Sequence, residues 1–189
     1  YVWDPEGNKY LDYGMALRAN TLGYAQDEID EAAYEGAKNG NNLTRASLIE
    51  LKAAEALIDL IPGSDMVKFG KNGSTVTSAA IKLARAYTGR KYIVRCAEHP
   101  FFSYDDWFIG DTPMTGGIPE EVSTLTLNFN FNNLESLQEL FDKYPNQIAG
   151  IILQPAESVH PKNNFLQKAM DLCHKNGAIF ILDEMITGF

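Results

Sequence analysis

Met66-Val67-Lys68-Phe69-Gly70-Lys71-Asn72-Gly73-Ser74-Thr75, running on through Val76 to Tyr87 and closed by Thr88-Gly89-Arg90, reads as strand, tight loop and helix. Met66 to Phe69 is a short apolar-rich run, and Gly70 and Gly73 are free to take the backbone conformations of a sharp turn. Ser74 or Thr75 is the expected N-cap. Val76, Ala79, Ala80, Leu83, Ala84 and Tyr87 then fall on one helical face, and Gly89 stops the helix. That face is almost all small, which lets a helix lie close against a sheet. Its N-terminus offers unpaired backbone N–H groups, a partial positive charge and the hydroxyls of Ser74 and Thr75. Such an end suits an anion, most economically a phosphate monoester. The loop is neither a G-x-G-x-x-G turn nor a P-loop, because Lys71 precedes Gly73. The plainer alternative is that the glycines only turn the chain and Ser74 only caps a helix.

Outward from this stretch, the 189 residues are 45% hydrophobic and 22% charged, an ordinary composition for one α/β domain with a core or for part of a larger one. A net charge of −9 and a pI near 4.8, with no cluster of Lys or Arg, argue against nucleic acid or an anionic membrane as partner. No apolar run is long enough to span a bilayer. The opening Tyr1-Val2-Trp3-Asp4-Pro5 lacks the features of a signal peptide and an initiator Met, so the chain is expected to be cut from something longer. Cys96 and Cys173 are far apart with no C-x-x-C spacing, and reduced, buried thiols in a cytoplasmic protein are expected.

Val2-Trp3 and Tyr10-Leu11 flank a turn-forming Asp4-Pro5-Glu6-Gly7-Asn8, which predicts a hairpin. Leu17 to Tyr24 is a loop in which Arg18 can clamp a carboxylate or phosphate, or make a surface salt bridge. Asp27 is expected to cap a helix using Ile29, Ala32, Ala33 and Ala37. Ser47-Leu48-Ile49-Glu50 is a capping box, followed by an apolar face of Leu51, Ala54, Leu57, Ile58 and Ile61 until Pro62. Residues 1–45 are expected to form a hairpin and helix segment, and 46–189 the main domain.

Tyr92-Ile93-Val94 reads as a buried strand. Ala97 to Pro119 is long and irregular, crowded with Phe101, Phe102, Tyr104, Trp107 and Phe108, and holds Asp105-Asp106; that many aromatics disfavours disorder. Val122 to Leu127 alternates as a further strand. Asn133 caps a helix using Leu134, Leu137, Leu140 and Phe141. Ile148 to Leu153 is a continuous apolar strand. Phe165, Leu166, Ala169, Met170 and Cys173 mark another helix, and Ala178 to Leu182 is an apolar run ending in Asp183-Glu184.

Strands apolar on both faces and separated by helices imply a parallel sheet covered on both sides, whose ligands sit outside the carboxyl ends of the strands. Four features fall on that edge: the loop after Phe69, the aromatic loop after Cys96, Gln154-Pro155-Ala156-Glu157 after Leu153, and Asp183 after Leu182. A phosphate holder, a stacking aromatic and a carboxylate describe a cofactor with a phosphate, a flat ring and a basic ring nitrogen. Pyridoxal 5'-phosphate fits that description. The plainer role for Asp183 is a turn cap after a strand. A metalloenzyme is disfavoured, since His99, His160 and His174 have no ligand spacing with each other or with the cysteines.

The chain resembles the class III pyridoxal-phosphate aminotransferases, and most the glutamate-1-semialdehyde aminomutase branch. The resemblance runs over nearly the whole chain. Val2 to Tyr13 is similar to the family's opening hairpin, and Leu22-Gly23-Tyr24-Ala25 to its Leu/Ile-Gly-His-Ala. Asn72-Gly73-Ser74-Thr75 stands where the family has Ser-Gly-Thr-Glu, followed by a closely similar Ala80 to Arg90. Asp183-Glu184-Met185-Ile186-Thr187-Gly188-Phe189 matches its Asp-Glu-Val-x-Thr-Gly-Phe.

The resemblance implies a fold-type I α/β large domain: a mostly parallel sheet with helices on both faces, truncated after the strand ending at Asp183. It implies that Gly73, Ser74 and Thr75 hold the cofactor phosphate, that Asp183 pairs with the pyridinium nitrogen and that Met185 packs on one ring face. The family's stacking tyrosine is not preserved. Counting back from Asp106-Trp107 favours Phe101 in its place and counting forward from Cys96-Ala97 favours His99; Phe101 is preferred. Gln154-Pro155 replaces the family's Glu-Pro, and Arg18, Gln154 and Glu157 are the candidate substrate-binding residues.

The Schiff-base lysine implied by the family lies beyond Phe189, since no lysine of this chain follows Asp183. The resemblance further implies that the strand before the phosphate loop is separated from the other four by two later strands. On this reading residues 1–189 alone are poorly stable and bind the cofactor weakly. The favoured activity is amino-group transfer between a small-molecule donor and a carbonyl acceptor, by a cytoplasmic homodimer in full-length form. The rival is a non-catalytic α/β domain that binds a phosphate ligand.

Overall fold

The computed structural model describes residues 1–188. The chain forms two compact units, Tyr1–Lys68 and the residues from Phe69 onward. The first unit holds the hairpin expected from its turn residues: β1 (Val2–Trp3) pairs antiparallel with β2 (Lys9–Tyr10). Asp4 closes the turn by accepting the Asn8 N–H at 2.8 Å. Two helices follow, α1 (Asp27–Lys38) and α2 (Leu48–Leu60). The capping box on α2 is complete: Glu50 N–H donates to Ser47 Oγ at 3.2 Å and Ser47 N–H to Glu50 Oε2 at 2.7 Å. Asp27 does not cap α1. Gln26 occupies the cap position and Asp27 is the first helical residue, in an acidic first turn that complements the helix dipole. The apolar faces expected on α1 and α2 exist as patterns, yet neither helix contains a buried residue.

The second unit is built on a four-stranded parallel sheet. Its elements in chain order are α3 (Gly73–Thr88), β3 (Tyr92–Cys96), α4 (Asp106–Ile109), α5 (Glu120–Ser123), β4 (Thr126–Phe129), α6 (Leu134–Lys143), β5 (Ile148–Leu153), α7 (Phe165–Lys175) and β6 (Ile179–Leu182). The strand order is β4-β3-β5-β6, with Ile93 opposite Gly150 and Gly150 opposite Ile179. Every residue of β5 is buried, as a central strand covered on both faces requires. Successive residues face opposite sides: Val94, Ile151 and Leu153 meet Leu137 and Phe141 of α6 and Phe165, Ala169 and Cys173 of α7. Ile93, Ala149 and Ile152 meet Ile81 and Ala84 of α3 together with Phe102, Trp107 and Phe108. Gly150 lets α3 and β6 pack close, because a Cβ there would sit 3.4 Å from Ala84 Cβ and 2.9 Å from Ile179 O.

Four local expectations are corrected. Met66–Phe69 is not a strand: among the described residues no neighbour supplies a ladder, and Met66 is almost fully exposed. The cap of α3 is Asn72, whose Oδ1 accepts the Thr75 N–H at 3.0 Å, so Ser74 and Thr75 lie inside the helix. The buried face of α3 is also rotated. Ser74, Ile81 and Ala84 are buried, whereas Val76, Leu83 and Tyr87 stand exposed. The pattern carries two overlapping stripes, and the one bearing hydroxyls wins because those hydroxyls find partners in the loop after β3. Finally, the strand read over Val122–Leu127 begins later. Pro119-Glu120-Glu121 starts the short helix α5, and β4 opens at Thr126, whose hydroxyl donates to Trp107 O at 2.6 Å.

Candidate functional site

Helix α3 runs antiparallel to the strands. At one edge of the sheet Arg90, just past its C-terminus, donates to Ile148 O and Asn176 O. At the other, carboxyl edge its first turn meets the loop leaving β3, where Tyr104 N–H donates to Ser74 Oγ at 3.1 Å. Asp183 follows the last residue of β6 and donates its own N–H to Leu153 O at 2.9 Å, so its carboxylate sits on that same carboxyl edge. The helix N-terminus and the carboxylate therefore share one side of one sheet.

Asn72 satisfies Thr75 and Val76: its Oδ1 takes the Thr75 N–H and its carbonyl the Val76 N–H at 3.1 Å. Thr75 Oγ1 also bonds Asn72 Oδ1, at 3.2 Å. The amides of Gly73 and Ser74 have no partner among the described residues, which is the arrangement an anion needs. Ser74 is 8% exposed, and its hydroxyl accepts from Tyr104 while its proton meets no acceptor among the described residues. Phe101 keeps half of its surface open and rests edge-on against buried Phe108, ring centroids 5.5 Å apart. His99 is buried between Phe131 and Phe102, and its Nδ1 accepts the Gln154 N–H at 3.0 Å. Gln154 is 6% exposed and its Oε1 has no hydrogen-bond partner among the described residues.

Burial pushes the Asp183 carboxyl above its ordinary range, against the opposing Met185 N–H, which donates to Oδ1 at 3.1 Å. Burial depresses His99, while the negative charges of Glu98, Glu157 and Asp183 pull it back. Met185 is exposed beside Asp183. Glu157 lines a cavity of about 130 Å³ with Glu98, His99, Phe131, Ser158 and Val159. Arg18 belongs to the first unit, on a left-handed turn over residues 15–18. Phe189, last of the Asp183 motif, lies outside the described residues. Among the described residues no cluster of His, Cys, Asp or Glu is arranged for a metal. Cys96 and Cys173 are free and buried, and burial pushes both thiols up to about 12. Sequence reasoning missed Asn72 as the cap; an Asn immediately before the Gly-Ser pair was the available signal.

The family model for aminotransferase class III matches residues 1–189. The chain belongs to the class III aminotransferases. Among curated relatives of this class III chain, the glutamate-1-semialdehyde 2,1-aminomutase of Aquifex aeolicus (strain VF5) is 34% identical over all of it, covering 47% of that protein. The aminomutase of Francisella philomiragia is 35% identical, again over all of it and over 46% of the relative. Among solved structures, the FumI protein of Sphingopyxis sp. MTA144, in its PLP internal aldimine form, is 32% identical with a TM-score of 0.89. The match takes in 98% of this chain and 45% of that one. An omega-transaminase from Sphaerobacter thermophilus, 26% identical, has a TM-score of 0.90 over 98% of this chain and 46% of its own. The class III chain thus has the parallel α/β fold of these two solved structures, and spans about half the length of the relatives it matches.

Proposed function

We propose that this chain is part of a pyridoxal-phosphate-dependent aminotransferase or aminomutase, which moves an amino group between a small-molecule donor and a carbonyl acceptor. The observation that carries the reading is the shared edge: the open amides of Gly73 and Ser74 and the half-buried carboxylate of Asp183 lie on one side of one sheet. The names of the relatives, aminomutases and transaminases, support the same activity.

The residues present fit the cofactor. Gly73 and Ser74 offer two amides and a hydroxyl proton to a phosphate, with Thr75 beside them. Asp183, pushed up by burial when alone, regains a favourable charge beside a protonated ring nitrogen. Phe101, rather than the buried His99, has an open ring to lay on one face, and Met185 stands ready for the other. Gln154 Oε1 awaits a donor from the cofactor's phenol or from a substrate, since a buried acceptor left unpaired costs about 1–3 kcal/mol. Arg18 and Glu157 are the remaining substrate-binding candidates. When bound, the cofactor supplies a protonated ring that takes up the electron pair left on the substrate carbon. The homodimeric state and the cytoplasmic location belong to the same reading and rest on the resemblance of the motifs. No helix among the described residues is long and apolar enough to cross a membrane.

The test is titration of the full-length protein with pyridoxal phosphate. A visible absorption band that borohydride abolishes and inorganic phosphate competes away is expected. Phosphate binding without that band would replace the reading by a non-catalytic phosphate-binding domain.

A further inference from the structure

Ser74, Thr77 and Ser78 follow one another on the inner face of α3, and all three meet the loop that leaves β3. Thr77 Oγ1 donates to Phe102 O at 2.9 Å, and Tyr104 N–H donates to Ser74 Oγ at 3.1 Å. Ser78 Oγ donates to the Asp105 carboxylate and accepts the Trp107 indole N–H at 2.9 Å. Ser103 Oγ lies 3.3 Å from Ser78 Oγ and accepts the Asp105 N–H at 3.1 Å. Asp105 heads α4 without capping it, so its carboxylate is not needed for the helix it precedes. Its charge instead takes the Ser78 proton, and that leaves the Ser78 lone pairs to the indole.

Phe101 stands immediately before these anchors. Its ring is open on one side and backed by Phe108, which packs in turn on Trp107 at 5.9 Å between centroids. A ring on an irregular loop is held in place when the loop is fastened around it. Here His99, which accepts the Gln154 N–H, holds the chain before Phe101, while the contacts of Phe102 to Asp105 hold it after.

The geometry points to Ser78 and Asp105 as positioning residues that fasten the loop 101–105 to α3 and so present the Phe101 ring beside the open amides of Gly73 and Ser74. The inference rests on the pyridoxal-phosphate reading above. It divides the labour of the site: the head of α3, with its two amides and the Ser74 hydroxyl, takes the phosphate, and the Ser78–Asp105 contact decides how well a flat ring is received.

The test compares full-length wild type with Asp105→Asn and Ser78→Ala, using calorimetry for inorganic phosphate and for pyridoxal phosphate, and visible circular dichroism of the bound cofactor. Both variants should bind inorganic phosphate within about twofold of wild type, bind pyridoxal phosphate about tenfold more weakly and lose visible dichroism. If Asp105→Asn fails to fold, Ser78→Ala decides. Parallel loss of both ligands, or unchanged binding and dichroism of the cofactor, overturns the assignment while leaving the cofactor reading intact. A wild type that binds no pyridoxal phosphate overturns both.

Discussion

The backbone N–H of Gln154 donates to Nδ1 of His99 at 3.0 Å, tying the end of β5 to the turn that leaves β3. Nδ1 can accept only when unprotonated, so the buried ring is neutral and carries its proton on Nε2. Burial holds His99 below the ordinary value of 6.5. A histidine with a lowered folded pKa contributes stability that is complete above 6.5 and is lost as pH falls through the folded value. Melting temperature should therefore drop as pH falls below 6.5, and His99→Phe, though less stable at neutral pH, should show a shallower drop. An identical pH slope in the variant counts against this role.

Asp183 behaves with the opposite sign. Burial raises its pKa above 3.8, so its contribution is complete below 3.8 and is lost as pH rises through the folded value. In the cofactor-free protein Asp183→Asn is expected to match or exceed wild-type stability at pH 7. The same substitution should weaken pyridoxal-phosphate binding by about tenfold or more, having removed the charge that pairs with the ring nitrogen. Thermal melts and cofactor titration of the one variant check both halves.

Gly150 sets the spacing of the sheet and of α3. A Cβ there meets Ile179 O at 2.9 Å, a backbone atom that cannot swing aside, and Ala84 Cβ at 3.4 Å. Gly150→Ala should cost about 1–3 kcal/mol in denaturant unfolding. An unchanged midpoint would show that β5 and β6 can part without loss.

Arg95 is the charged residue of the buried strand β3 and is held by Asp111, Nε to Oδ2 at 2.6 Å, with Arg95 Nη2 also donating to Asp111 O at 3.0 Å. Asn128 donates to the same carboxylate. Asp111→Ala strands the guanidinium and is expected to cost about 3–5 kcal/mol. The double variant Arg95→Met, Asp111→Leu should be closer to wild type, since it removes both charges and restores apolar packing. Equilibrium unfolding of the two variants side by side measures the difference.

Much of the fold was legible because it is written locally. Ser47 and Glu50 stand three apart and cap α2 as their spacing requires, and the unbroken apolar run Ile148–Leu153 could only be a strand covered on both faces. Asp183 was recognisable as a site candidate because it follows an apolar run that ends at the carboxyl edge, and Gly73 because it stands in a glycine turn that opens α3. The rotation of α3 was not legible. Val76, Leu83 and Tyr87 make as good a stripe as Ser74, Ile81 and Ala84, and only partners about 25 residues away, Phe102 to Asp105, decide which stripe turns inward. Met66–Phe69 failed as a strand for a related reason, since a strand exists only where another supplies its ladder.

The amino-acid order alone determined the β1–β2 turn, the capping box of α2, the glycine stop of α3 and the central strand β5, because caps, glycines and apolar periods act over a few neighbouring positions. Three-dimensional packing decided what other residues do: that His99 is sealed in as an acceptor while Phe101 stays open, and that Ser78 reaches Asp105. Those outcomes depend on groups far apart in the chain competing for the same few donors and the same buried space, and no short-range pattern records that competition.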